Sequence, residues 1–335
     1  MTGVVWIVLG VLAVGLVVWD VTATTLTLGE GTGPLTRRLL SAAWQLLLRV
    51  HRRRGARQPR LLSAAGPLLM AITVALWVAV FWAGWSLIFL GSGAVEEART
   101  GRPGTVADVV YFAGYSVSTL GVGDFVATEP AWRVMSAFAS FSGLALVTLA
   151  ITYLFSVMSA VVSRRAVATE LHGLGDSAQD IVADGWDGDR FSPLFTQQLL
   201  QLPARLSSVA EEHLAYPVLH YFRSERSSAS APVAIARLDD AMLLLESAVD
   251  PRVRPPAQAV RPVRRVIERY VATANSGRRR GSADAPPPEP ATDRLAAVGI
   301  PLTDPAELRG AAEQCARRRA RLRQLVEDAG WEWGA

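Results

Sequence analysis

Three long apolar runs lie in the first half of the chain, and the second half has none of comparable length. The first extends from about Val4 to Leu28 and is interrupted only by Asp20. The second, Leu68 to Leu90, holds 23 residues without a charge, and the third, Val134 to Val162, holds 29. About 20 apolar residues cross the hydrocarbon core of a bilayer as a helix, so each run predicts a spanning helix. The opening run lacks a basic leader and a small-residue cleavage pattern, and it reads as a retained helix rather than a signal peptide. A fourth stretch, about Thr105 to Ser118, carries Val109, Val110, Tyr111, Phe112 and Tyr115. About 14 residues make roughly 20 Å of helix, short of a core of about 30 Å, so this stretch is expected to re-enter on the side it came from. Irregular backbone following it at membrane depth is tolerated only where protein or water surrounds it.

The charged positions orient these elements. Between Gly31 and Gly66 there are eight arginines and no acid, and Arg164 and Arg165 follow the third run directly. The connection between the second and third runs carries Glu96, Glu97, Arg99, Arg102 and Asp108, with no basic excess. Basic loops stay inside, so the N-terminus is expected outside and the C-terminal half in the cytoplasm of a multi-pass plasma-membrane protein. Leu35, Leu39, Leu40, Ala43, Leu46, Leu47 and Val50 follow helical spacing, with Arg37, Arg38, Gln45 and Arg49 off that face. That is a basic amphipathic helix suited to the anionic inner leaflet, with the arginine-rich segment 37–60 as the lipid contact. It either anchors the loop or couples lipid or tension to the membrane helices. Asp20 has two readings as well: a functional carboxylate paired with an arginine or lining water, or a side chain snorkelling near Arg37 or Arg38.

Composition narrows the classes further. The chain has 335 residues, 50% of them hydrophobic, and a positive mean hydropathy of +0.25, too apolar for an ordinary soluble protein. All 34 basic residues are arginine, which excludes a Walker-type phosphate loop and any Schiff-base or lysine-nucleophile chemistry. The single cysteine, Cys315, forms no intrachain disulfide, and no zinc-site spacing is present. Residues 166–335 hold 21 arginines against 23 acids, so nucleic-acid binding loses its electrostatic basis. No nucleotide-binding glycine fingerprint follows a strand, and His172-Gly-Leu-Gly is not one. The spans carry no arginine ladder, which excludes a conventional voltage sensor. No constellation of residues suggests an enzyme.

In the C-terminal half, helices are expected around 194–223, 232–249, 257–275 and 305–330. Residues 276–293 read as a flexible linker. Asp184, Asp187 and Asp189 have the wrong offsets for a calcium loop and read as a solvated turn; His213 and His220 read as helix packing. Leu308, Ala312, Cys315, Leu322 and Val326 form a weak seam interrupted by Arg319, for a partner helix or for the same domain. Thr148, Thr152 and Ser156 share one face of the third run, as a wet hydroxyl ring or as hydroxyls bonded back to the helix.

The hexapeptide Thr119-Leu120-Gly121-Val122-Gly123-Asp124 separates the short aromatic stretch from the third run. Consecutive backbone carbonyls aimed at one axis require alternating backbone conformations, and Gly121 and Gly123 supply the permissive positions. The hexapeptide resembles the selectivity-filter signature of the tetrameric pore-loop potassium channels, and the likeness covers roughly residues 66–163. The resemblance implies a homotetramer in which oxygens of Thr119, Leu120, Gly121 and Val122, with Gly123, strip and bind K+, the permeant ion. It places Tyr111, Phe112 and Tyr115 as aromatic support, Asp124 as a brace at the outer mouth, and Gly143 as a gate hinge or a packing glycine. Val122 departs from the family's usual tyrosine or phenylalanine, which implies a looser filter. The expected fold is an all-α membrane protein: three transmembrane helices, a re-entrant pore helix with its filter, and a helical cytoplasmic region. Its expected parts are 1–30 (first helix), 31–65 (basic loop), 66–163 (pore), 164–275 (helical domain), 276–293 (linker) and 294–335 (C-terminal helix). The function this implies is passive cation conduction, with no cofactor and no soluble ligand; a nonselective channel and a nonconducting membrane scaffold are the alternatives.

Overall fold

The computed structural model describes residues 2–26, 33–40, 42, 65–274 and 285–334. Most of the arginine-rich loop, including the helix expected beyond residue 42, lies outside the described residues, as do residue 275 and residues 276–284 of the expected linker. The chain is an all-α membrane protein in which three helices are long and apolar enough to span a bilayer: α1 (Thr2–Thr25), α2 (Ala65–Ser92) and α4 (Pro130–His172). Between the last two lies the short apolar α3 (Val106–Val117). The chain divides into two compact units, Met1–Arg57 with Pro67–Val157, and Gln58–Gly66 with Met158–Ala335.

In the first unit α1 runs antiparallel to α2 along a glycine seam. A side chain at Gly10 would bring its Cβ within 2.5 Å of the Gly84 carbonyl, and one at Gly3 within 2.7 Å of that of Gly91. Both pairs are spaced by seven residues, two turns of helix, so the missing side chains lie on one stripe of each helix and the backbones approach closely. Gly10→Leu is therefore expected to lower the unfolding free energy of the detergent-solubilised protein by about 1–3 kcal/mol. Gly15→Leu, on the same helix with nothing within 4 Å of an added Cβ, should leave it unchanged; equal melting of the two variants would refute the seam.

A second stripe along α2 is aromatic. Trp77, Phe81, Trp85 and Phe89 recur every fourth residue and are all buried. Phe89 meets Phe112 of α3 edge-on at 4.9 Å and Trp132 of α4 at 6.4 Å, while Trp85 meets Phe138 of α4 at 6.1 Å. One stripe of rings thus fixes α3 and α4 against α2, and offset or edge-on ring pairs add about 0.5–1.5 kcal/mol each beyond their buried area. A two-stranded ladder completes the unit: β1 (Val95–Glu97) pairs antiparallel with β2 (Phe125–Ala127), in register Val95 to Ala127. It joins the chain just before α3 to the chain just after the expected filter.

The second unit is built on α7 (Ala231–Ser247), a helix buried on nearly every side. It packs with α5 (Ala178–Ala183), α6 (Pro193–Ala215), α8 (Ala257–Ala274), α9 (Asp293–Ala297), α10 (Pro305–Gln314) and α11 (Ala316–Asp328) around one hydrophobic core. The expected C-terminal helix is in fact two, broken at Cys315, which caps the first and opens the second. The seam of Leu308, Ala312, Leu322 and Val326 is buried in this unit's own core. Arg319 does not interrupt it. The guanidinium is 1% exposed and clasps Asp240 of α7 at 2.9 and 3.2 Å, while also donating to the carbonyls of Pro287 and Pro288. The neighbouring Asp239 sits wholly buried between Arg318 at 3.0 Å and Arg264 at 3.4 Å. Burial raises both carboxyls despite these arginines, Asp240 to about 6. The aspartate cluster of the DGWDGD segment forms a turn in which Asp187 accepts the amides of Asp189 and Arg190. His213 packs against Tyr270 and His220 at ring distances of 6.3 Å.

Candidate functional site

α3 begins with a capping box: the Thr105 hydroxyl accepts the Asp108 amide, and the Asp108 carboxylate accepts the Thr105 amide at 2.9 Å. Those Thr105 bonds, reinforced by Arg102 at 3.1 Å, hold the Asp108 carboxyl below its ordinary range. The Thr100 hydroxyl, with Arg102 beside it, does the same to Glu97 on β1. The entry to the loop is thereby tied to the first turn of the short helix. At 12 residues, roughly 18 Å, α3 is too short to cross a bilayer core and hands the chain to the hexapeptide at its carbonyl end.

There the backbone alternates. Thr119 (φ 60°), Gly121 (φ 59°) and Gly123 (φ 83°) are left-handed, with Leu120 and Val122 between them. Thr119 is the only non-glycine with positive φ among the described residues, a costly conformation for a β-branched side chain that its surroundings must enforce. The amides of Thr119, Leu120 and Gly121 turn back onto the last turn of α3, donating to the carbonyls of Ser116 and Tyr115. Among the described residues, no donor reaches the carbonyls of Thr119, Leu120, Gly121, Val122 or Gly123. Residues 119–123 are all exposed in the single subunit, so these five consecutive oxygens are open to water or an ion rather than buried without a partner.

The ribbon leaves through Asp124, whose carbonyl accepts the Ala98 amide at 2.8 Å and whose carboxylate accepts the Phe125 amide at 3.0 Å. Behind it the Tyr115 hydroxyl donates to the Phe125 carbonyl, and the Tyr111 hydroxyl faces the Asp124 carboxylate. Tyr111 meets both Tyr115, at 5.2 Å, and Phe125, at 6.3 Å, edge-on; Phe112 meets Tyr115 at 5.4 Å. The structure therefore brings together Tyr111, Phe112, Tyr115 and Asp124 behind and beside the ribbon of residues 119–123. Val122 takes no part in this cluster, and its side chain is half exposed. Sequence reasoning overlooked Phe125 and the Trp77-Phe81-Trp85-Phe89 stripe. The stripe had a legible signal in its four-residue step; Phe125 had none beyond following the hexapeptide.

α4 passes close to the base of this structure. It is unbroken through Gly143, where an added Cβ would run into the Val117 carbonyl at the end of α3. Arg133, near its start, donates to the Ala127 carbonyl of β2 at 3.1 Å. The hydroxyls of Thr148 and Thr152 bond back to the carbonyls of Leu144 and Thr148, each at 2.9 Å.

A short helix aimed by a capping box, a ribbon of unpaired carbonyls, and two flanking membrane helices define a pore-loop module. Residues 72–160 match the family described as "Ion channel". The chain belongs to this ion-channel family. It is 30% identical over 329 residues to the uncharacterized membrane protein YdjJ of Bacillus subtilis (strain 168), an alignment covering 98% of this chain and 95% of that protein. No solved structure matches the chain.

Proposed function

We propose that four copies of this chain enclose a potassium-selective pore on their common axis in the plasma membrane, with the N-terminus outside and the C-terminal unit in the cytoplasm. One chain supplies one ribbon, and a ring of four closes the site with the cyclic symmetry usual for homo-oligomers. The observation that carries this reading is the run of five exposed carbonyls without a donor among the described residues, on a backbone left-handed at every second residue. In the ring those of Thr119, Leu120, Gly121 and Val122, with the Thr119 hydroxyl, replace the hydration shell of a dehydrating K+. Gly123 completes the ribbon. Tyr111, Tyr115, Phe112 and Asp124 hold it from behind, and Gly143 serves close packing of α4 on the pore helix. Conduction is passive, without enzymatic turnover. The arginines of segment 37–60 contact the anionic inner leaflet.

Rubidium flux into liposomes holding the purified full chain tests conduction, and its absence would leave the nonconducting scaffold as the reading. Reversal potentials in mixed K+ and Na+ test selectivity. The missing ring at Val122 favours the nonselective alternative, and a reversal potential insensitive to exchange of K+ for Na+ would establish it.

A further inference from the structure

Asp20, the one ionisable residue inside α1, is wholly buried, and its carboxylate is densely bonded. Oδ1 accepts the backbone amides of Leu35 at 2.7 Å and Thr36 at 3.2 Å. Oδ2 accepts the Thr36 hydroxyl at 2.5 Å, the Thr36 amide at 3.2 Å and the Trp77 indole N–H at 2.8 Å. The sequence expectation of an arginine partner or of snorkelling is thereby corrected: Arg37 and Arg38 lie on the exposed side of the 34–40 helix, while Thr36 and Leu40 face inward. The approach is close on the other side too. The Gly33 amide donates to the Thr24 hydroxyl at 3.1 Å, and a Cβ at Gly33 would run into the Asp20 carboxylate. The Trp77 ring in turn packs on Tyr153 of α4, centroids 5.7 Å apart. One carboxylate thus joins α1, the first turn of an arginine-bearing helix and, through an indole, the helix that lines the proposed pore.

We infer that Asp20 is a latch through which lipid contacts on the 34–40 helix act on the inner helix, an inference that rests on the channel reading. A buried carboxylate stripped of its donors is costly, so partial displacement of the 34–40 helix is disfavoured and the contact has two discrete arrangements, seated and released. Anionic headgroups drawn to Arg37 and Arg38 bias which arrangement holds, and the shared bond to Trp77 carries that bias to Tyr153.

The full chain is reconstituted in phosphatidylcholine liposomes with and without phosphatidylglycerol. Wild-type rubidium flux is expected to differ up to about thirtyfold between the two, the scale of two arginines near an anionic surface at about 1 kcal/mol each. Trp77→Phe, which keeps an aromatic ring but removes the N–H together with part of the bicyclic bulk, and Gly33→Ala, which leaves the Trp77 ring whole and perturbs the carboxylate from the other side, are expected to lose most of that difference. A lipid-insensitive wild type, or a Trp77→Phe channel with the wild-type lipid response, overturns the latch. Amide hydrogen exchange on the same full-length proteins decides the coupling without conduction. Trp77→Phe should speed exchange both at Leu35 and Thr36 and in α4 around Tyr153, and acceleration confined to the first pair overturns the inference. A wild type silent in both lipids sinks the channel reading instead, and the exchange pattern still decides the latch.

Discussion

Gly121→Ala is expected to reduce rubidium flux at least about a hundredfold while leaving the protein folded. Gly121 has φ 59°, and an added Cβ there would meet nothing within 4 Å in the subunit, so packing does not oppose the change. What opposes it is the backbone: a left-handed residue with a Cβ costs roughly 1–2 kcal/mol, and in the proposed ring of four that cost would fall on every subunit at the same level. The ribbon relaxes, and oxygens meant to replace water around an ion no longer converge. The measurement is flux per reconstituted protein beside the melting temperature in detergent. A Gly121→Ala protein that melts like wild type and conducts like wild type would remove the physical basis for placing the conduction path at residues 119–123.

Arg319→Leu is expected to destabilise the second unit by about 3–5 kcal/mol, because it leaves Asp240 buried without its partner. Replacing both residues, Arg319→Leu with Asp240→Leu, should recover most of that loss, since an apolar pair of similar volume needs no compensation. Acid dependence gives a second signature. The folded-state Asp240 carboxyl stands at about 6 against an ordinary 3.8, so in that window the folded state holds a proton that the unfolded state has released. Stability contributed by this group therefore falls as pH rises from about 4 to 6 and returns on acidification, the reverse of a carboxylate whose pKa is lowered on folding. In Arg319→Leu the carboxyl rises further, so the deficit against wild type should be large at pH 8 and smaller at pH 5. Denaturant unfolding of the full chain at the two values measures it, and a deficit independent of pH would mean that Asp240 is not the group left exposed to the loss.

The three spanning helices were legible in sequence because a bilayer demands length and apolarity, which composition alone reports. The pore helix was legible from its shortness, and its ends from Thr105 and Ser118. The hexapeptide was legible because alternating backbone needs glycine at fixed steps. Pairing was harder to read. The ladder of β1 and β2 has three residues per strand, too few for an alternating pattern. Asp20 announced itself as an oddity, yet its donors lie 15, 16 and 57 positions away, and nothing in periodicity points to them. The C-terminal half looked chemically quiet because its charges nearly cancel. That cancellation is partly local: Asp239 and Asp240 in the middle of an apolar helix needed partners, and the arginine run at 317–319 was their complement.

The Asp20 contact also bears on how the chain is made. At about 5–20 residues per second, Asp20 leaves the ribosome roughly 1–3 s before Thr36 and roughly 3–11 s before Trp77. Until Leu35 and Thr36 emerge, the nascent first helix carries an acid with none of its eventual donors, and until Trp77 emerges it lacks the indole bond, while carboxylates are disfavoured in a segment being released sideways into lipid. The satisfaction of its carboxylate is completed by sequence synthesised later, and truncated products ending before Leu35 should be retained less well in the membrane than products that include Thr36.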